Sequence, residues 1–297
     1  MNPPSPRVRR PLLFGMLVMA LLWATVLGHP CHAQANPTVI VATYDGVINP
    51  VAAEYVHDAL HAAQADGAQT LILALNTPGG LDTSMRLIIK DIVGATIPVV
   101  VYVSPSSGRA ASAGVFITLA AHIAAMAPGT HIGAAHPVAL GGEKLDDELK
   151  HKVENDSAAY VKSLAQQRGR NVTWAEDAVR KSVSVTEQEA VALHVVDLVA
   201  EDLPALLKQI DGRSVALQTG PVVLRTANAP IRDFPIGLRL EFLKALSDPN
   251  IAYLLMTIGM IGLIAELYNP GAILPGVVGA ISIILACYAF QSLPLNY

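Results

Sequence analysis

The chain has 297 residues, 52% of them hydrophobic and 15% charged, with a mean hydropathy of +0.44. That balance is too apolar for a wholly soluble protein and too polar for a transporter, and it implies a globular domain joined to membrane segments. With a net charge of −4 and no basic cluster beyond the extreme N-terminus, the chain is not built to bind nucleic acid.

Residues 1–35 read as a secretory signal. Arg7, Arg9 and Arg10 form a basic start, Leu12–Leu27 an apolar stretch, and Ala33-Gln34-Ala35 a small-residue cleavage site. Of the 2 cysteines, Cys31 lies in this signal and Cys287 in a C-terminal apolar run, so the exported part holds no disulfide and depends on its own core. Residues 36–212 are long enough to build one.

Within that part, β-branched and apolar runs alternate with helical patterns. Val39–Tyr44, Thr70–Leu75 and Pro98–Val103 predict buried strands. Asn49-Pro50 opens a helix to about Ala65, and a second helix runs from about Asp82 to Val93 with Met85, Ile88, Ile89 and Ile92 on one side. Ile123–Met126 and Ile132–Ala134 are short strands around Pro128-Gly129. This order predicts an α/β fold with a mostly parallel sheet.

Leu145–Gln167 is a long amphipathic helix with Leu145, Leu149, Val153, Tyr160 and Leu164 in one stripe. Helices follow at Trp174–Arg180 and at Thr186–Leu193, where Thr186-Glu187-Gln188-Glu189 has the form of a capping box. Val195–Val199 reads as a strand and Leu203–Ile210 as a helix. Residues 213–250 are expected to be a linker, holding a hairpin about Thr219-Gly220 and an amphipathic helix at Ile236–Leu246. Ile251–Tyr268, whose one charge is Glu266, and Ala272–Phe290 are each about long enough to cross a bilayer. Asn269-Pro270-Gly271 between them permits only a tight hairpin, so 251–297 is expected to be a transmembrane hairpin.

Two turns carry the candidate chemistry. Ser112 sits in the small-residue run Gly108-Arg109-Ala110-Ala111-Ser112-Ala113-Gly114, and Thr77-Pro78-Gly79-Gly80 ends the strand before it. Small neighbours let a peptide backbone approach a hydroxyl closely, and free N–H groups nearby would stabilise an oxyanion. A serine nucleophile needs a base. His122, His131 and His136 are the candidate histidines, with Asp146 or Asp147 as third member, and nothing in their spacing selects one. Among the lysines of the long helix, Lys152 falls ~60° from Leu149, Lys150 ~100° away on the other side, and Lys162 nearly opposite. Lys152 is therefore the lysine best placed for burial, and burial is what frees an amine of its proton. No metal-ligand spacing, phosphate loop or dinucleotide fingerprint is present, and no cofactor or metal is expected.

At LALNTPGG, ASAGVFITLAAHIAAMAPGTHIGAAHPV, YVKSLAQQRGRN and the tail ELYNPGAILPGVVGAISIILACYAFQSLPLNY, the chain resembles the NfeD-type membrane-bound serine proteases. These are a branch of the ClpP and signal-peptide-peptidase-A class. The resemblance implies a ClpP/crotonase-like domain and a Ser–Lys dyad. The family's serine lies in an ASAG motif, here Ser112, and its lysine opens a Lys-Val-Glu-Asn-Asp run, here beginning at Lys152. The implied oxyanion amides belong to Gly80 and Ala113, with Gly79 shaping the turn and serving substrate binding. The implied protein is an extracytoplasmic, multi-pass membrane endopeptidase, a homo-oligomer acting on apolar segments of stomatin-like partners. Two other readings stand beside it: a non-catalytic scaffold for a stomatin-like protein, and a crotonase-like acyl-CoA enzyme. The family's longer members carry further spans and a β-barrel domain, so a chain ending at Tyr297 is expected to be a truncated member or a fragment.

Overall fold

The computed structural model describes residues 38–138, 146–269 and 273–292. The expected signal, Lys144, Leu145 and the turn at Pro270 lie outside the described residues. Strand β1 (Val39–Asp45) leads into α1 (Pro50–Ala65), and β2 (Thr70–Asn76) into α2 (Asp82–Gly94). Strand β3 (Val99–Val103) passes through the short β4 (Arg109–Ala111) into α3 (Ala113–Ala120). Then come β5 (Ile123–Met126), β6 (His131–Gly133), the long α4 (Asp147–Gln167) and α5 (Val172–Arg180). They are followed by β7 (Ser184–Thr186), α6 (Glu187–Ala192), β8 (Leu198–Val199) and α7 (Leu203–Ile210). The last elements are the hairpin of β9 (Ser214–Leu217) and β10 (Gly220–Val223), β11 (Ile231–Phe234), α8 (Leu238–Leu246), α9 (Pro249–Tyr268) and α10 (Ile273–Ser292).

The main sheet has six strands in the order β11-β1-β2-β3-β5-β8, all parallel. A parallel sheet is covered on both faces, which is why β2 and β3 read as unbroken apolar runs. Their period of two still sorts the side chains. Ile40, Ala42, Leu71, Leu73, Val99 and Val101 face the core made with α1, α2, α3 and α4. Val39, Val41, Ile72, Val100 and Tyr102 face a second core made with α7 and the β9–β10 hairpin. Each Leu or Ile so enclosed contributes about 1.5–3 kcal/mol.

Local signals set the helix starts. Asn49 Oδ1 accepts from the Ala52 N–H at 3.0 Å with Pro50 in the first turn, and Thr186 with Glu189 forms a complete capping box. Helix α3 is buried at every position, so its sequence is apolar all round. Two arginines close its C-terminal end. Arg170 Nη1 donates to Leu119 O at 2.6 Å and Ala121 O at 2.9 Å, and Arg168 Nε to Ala120 O at 2.8 Å. Both act where a helix dipole favours positive charge.

Residues 213–250 contain the expected hairpin and helix and one strand more. β11 pairs in parallel with β1, Val39 opposite Ile231, and so closes an edge of the main sheet. The segment IRDF is half polar and largely exposed, and its pairing with β1 spans most of the domain's sequence, so no local pattern announces it. Helices α9 and the 273–290 part of α10 are long and apolar enough to cross a membrane by length and composition. They pack through glycines: a Cβ at Gly262 would lie 2.6 Å from Pro275 O, and one at Gly279 would lie 2.9 Å from Gly259 O. Such close approach is typical of apolar helix pairs.

Candidate active site

The site is built where β2 runs out. The Thr77 N–H donates to Arg109 O at 2.8 Å and the Ala111 N–H to Thr77 O at 3.1 Å, so the turn and β4 travel side by side. Two residues on, the chain changes partners. The Ile48 N–H donates to Gly79 O, and the Leu81 N–H to Ile48 O, both at 2.8 Å. In a parallel bridge of this kind the middle residue points its own amide the other way. The Gly80 N–H thus faces away from Ile48 and has no acceptor among the described residues. A side chain at Gly80 would collide with the Ile48 backbone, so only glycine allows this crossing.

Ser112 is held by its neighbours rather than by its own hydroxyl. Its N–H donates to Gly133 O at 3.1 Å, which docks it on β6, and it is the N-cap of α3 with φ 52° and ψ −114°. That conformation is rare for any residue with a Cβ. The Ala113 N–H opens the helix, where the first-turn amides have no partner within the helix, and it too has no acceptor among the described residues. Gly79 has φ +116°, and a Cβ there would come within 2.6 Å of Ser112 Cβ and 3.1 Å of its Oγ. The hydroxyl makes no hydrogen bond among the described residues, and Ser112 lies beside two unpaired amides.

Ser112, Gly80, Ala113 and Lys152 line one cavity of about 420 Å³. Leu81, Met85, Phe116, Val138, Leu149 and Val153 give it an apolar wall. The expectation that helical phase buries Lys152 is corrected: the residue is exposed. The apolar stripe is present, but the buried face of α4 begins at Ser157 and continues through Ala158, Val161, Leu164 and Ala165. Leu149 and Val153 remain 44% and 38% exposed, so the first turns of α4 form a wall of the cavity rather than a buried face. No hydrogen bond joins Lys152 Nζ to Ser112 Oγ among the described residues. Lys150 is paired with Asp147 at 3.3 Å and Lys162 with Glu176 at 2.8 Å, and neither lines the cavity.

None of the candidate histidines lines it either. His122 Nδ1 accepts from the Val99 N–H at 3.2 Å at the far end of α3. Burial, then Arg168 and Arg170, push its pKa down to about 3. His136 Nδ1 donates to Val179 O at 2.9 Å, and His131 belongs to β6 on the domain surface. A charged group that the motifs do not reveal lies on the cavity rim. Arg86 Nε donates to Asp82 at 2.8 Å, and Arg86 Nη2 to Asp156 at 2.6 Å. Asp82 and Arg86 stand four residues apart on one helix, a spacing legible in sequence, but Asp156 comes from another helix.

A parallel sheet with crossover helices, a strained serine at a strand-to-helix turn and an opposing Gly-Gly turn are the plan of the ClpP/crotonase class. Residues 38–206 match the family model described as NfeD1b, N-terminal domain, and residues 250–297 match the NfeD integral membrane domain. The chain belongs to the NfeD family of membrane-bound proteins. It is 37% identical over 285 residues to the membrane-bound protease PH1510 of Pyrococcus horikoshii, covering 95% of this chain and 63% of that protein. It is 30% identical over 276 residues to the membrane protein NfeD1b of Bacillus subtilis, covering 93% of this chain and 61% of that one. The chain therefore spans less than two thirds of the length of these curated relatives. Among solved structures it is similar to the 1510-N membrane-bound stomatin-specific protease, in a lysine-to-alanine mutant with a substrate peptide. That match has a TM-score of 0.67 and 34% identity, and covers 71% of this chain and 98% of the other. A further structure, the 1510-N membrane protease specific for a stomatin homolog from Pyrococcus horikoshii, matches with a TM-score of 0.63 and 34% identity, covering 72% and 100%.

Proposed function

We propose that this protein is a membrane-anchored, extracytoplasmic serine endopeptidase that cleaves apolar segments of membrane proteins. The observation that carries the reading is one cavity in which a serine hydroxyl and two amides, unpaired among the described residues, and a lysine meet an apolar wall. The naming of similar structures as stomatin-specific proteases points to stomatin-like substrates, and the lysine-to-alanine mutant among them supports a lysine partner for the serine.

In this mechanism Ser112 Oγ bonds to the carbonyl carbon of the scissile peptide while neutral Lys152 takes its proton. The carbonyl oxygen becomes an oxyanion and accepts from the Gly80 and Ala113 N–H groups, each worth about 10²–10³ in rate for donors of this kind. The C–N bond then breaks, Lys152 returns the proton to the leaving amine, and an acyl-enzyme ester remains. Water, deprotonated by Lys152, attacks that ester and releases Ser112. Substrate seated against Leu149 and Val153 excludes water from the exposed lysine, which favours its neutral form. Gly79, touching Ser112, keeps the approach to the hydroxyl open.

Arg7, Arg9 and Arg10 favour a cytoplasmic N-terminus, so residues 36–250 lie outside the cytoplasm, α9 crosses inward and α10 crosses back. The turn between them has no Lys or Arg to impose another orientation. The test is cleavage of an apolar peptide by the purified protein. Ser112→Ala abolishes it, Lys152→Ala lowers kcat by about 100-fold or more, and Lys152→Arg does not restore it, because a guanidinium stays protonated. Cleavage by Ser112→Ala at the parent rate would sink the proposal.

A further inference from the structure

Among the described residues, four charged side chains line the Ser112 cavity: Asp82 and Arg86 from α2, and Lys152 and Asp156 from α4. Lys152 and Asp156 are four residues apart on one helix, the spacing at which a lysine and a carboxylate ordinarily pair. They do not pair. Asp156 accepts from Arg86 Nη2 at 2.6 Å, and Arg86 Nε is engaged by Asp82 at 2.8 Å. The guanidinium also lies over the Tyr160 ring, 4.4 Å from its centroid, and Tyr160 stacks on Phe116 of the cavity wall. Arg86 is thus fixed from three sides, and its planar fork meets two carboxylates at once, which an ammonium does not do in the same geometry.

The consequence for a lysine base is electrostatic. An amine takes a serine proton only when it has none of its own to lose, and a neighbouring carboxylate favours the protonated form. The charged groups around Lys152, among the described residues, are few. From α2 come Asp82 and Arg86, bound to each other. On α4 itself stand Asp156, held by Arg86, and, outside the cavity lining, the exposed Glu148 one turn earlier and the adjacent His151. Helix α3 and the Ala135–Val138 wall present no charge, because His136 is turned to Val179 O. Asp156 is therefore the cavity carboxylate within a helical turn of Lys152, and Arg86 occupies it.

We infer that Arg86 is a positioning residue of the proposed reaction: it withholds Asp156 from Lys152 and leaves that amine free to take the serine proton. The inference rests on the Ser112–Lys152 reading above. The test is the pH dependence of kcat/KM for peptide cleavage by the full-length protein in detergent, comparing parent, Arg86→Met, Asp156→Asn and the double variant. In Arg86→Met, Asp156 turns to Lys152, and the ascending limb moves to higher pH by a few tenths of a unit, the size an exposed ion pair within one helix supplies. Adding Asp156→Asn returns the limb to its position in Asp156→Asn alone. Arg86→Lys, which keeps a cation beside Asp156, holds the limb near the parent and serves if Arg86→Met fails to fold. A loss of rate that is uniform with pH and unrelieved by Asp156→Asn makes Arg86 a strut between α2 and α4 and overturns the inference. So does a limb displaced in Arg86→Lys as far as in Arg86→Met. Ser112→Ala and Lys152→Ala are run alongside: if they cleave like the parent, the dyad falls and takes the inference with it. If they are inactive and the Arg86→Met limb stays put, the inference alone falls.

Discussion

The backbone at Ser112 predicts that removing the proposed nucleophile stabilises the protein when glycine replaces it. With φ 52° and ψ −114°, Ser112 has the conformation of the first central residue of a type II′ turn, which glycine adopts freely. A residue with a Cβ held there costs about 1–3 kcal/mol. The hydroxyl offsets none of this, since it makes no hydrogen bond among the described residues. Ser112→Gly relieves the strain and adds the entropy glycine loses on folding, about 0.5–1 kcal/mol, for a net gain of about 0–2.5 kcal/mol. Ser112→Ala keeps the strain and changes stability by less than about 0.5 kcal/mol. At about 2–4 °C per kcal/mol for a domain of this size, the glycine variant melts a few degrees above the alanine variant. Both are inactive. The assay is thermal melting followed by circular dichroism in one detergent, alongside peptide cleavage. A glycine variant that melts at or below the alanine variant refutes the strain argument, whatever the activities.

Gly79→Ala places a methyl against Ser112 Cβ at a φ of +116°, so it displaces the serine. We expect kcat to fall by about 100-fold, the order of loss for a misplacement near 1 Å, with a lower Tm; parent-like turnover would show that the turn tolerates a Cβ. His122 is held neutral, its pKa at about 3 against 6.5 unperturbed, so between those values the unfolded chain binds a proton that the folded one does not. Its contribution is full above pH 6.5 and is lost as pH falls toward 3, and His122→Asn should flatten stability-against-pH profiles in that window; an unchanged slope would clear the residue. Added protease should cut residues 39–212 in intact spheroplasts, and protection until lysis would reverse the proposed topology.

Much of the fold was legible locally. Thr70–Leu75 could only be a buried strand, Asn49-Pro50 a helix start, and Thr186 to Glu189 a capping box, because each rests on interactions within a few residues. The small residues around Ser112 and the Gly79-Gly80 pair also announced themselves, since close backbone approach leaves no room for larger side chains. Helical phase put Lys152 beside the apolar stripe of its helix, yet it could not say whether anything covers that stripe. Only tertiary packing decided that α4 is buried from Ser157 onward and leaves Leu149, Lys152 and Val153 as the wall of a cavity. The pairing of β11 with β1 and the engagement of Asp156 by Arg86 were equally beyond reach. Periodicity records which face of an element is apolar, whereas the partner that meets that face is set by the summed contacts of residues far apart in the chain.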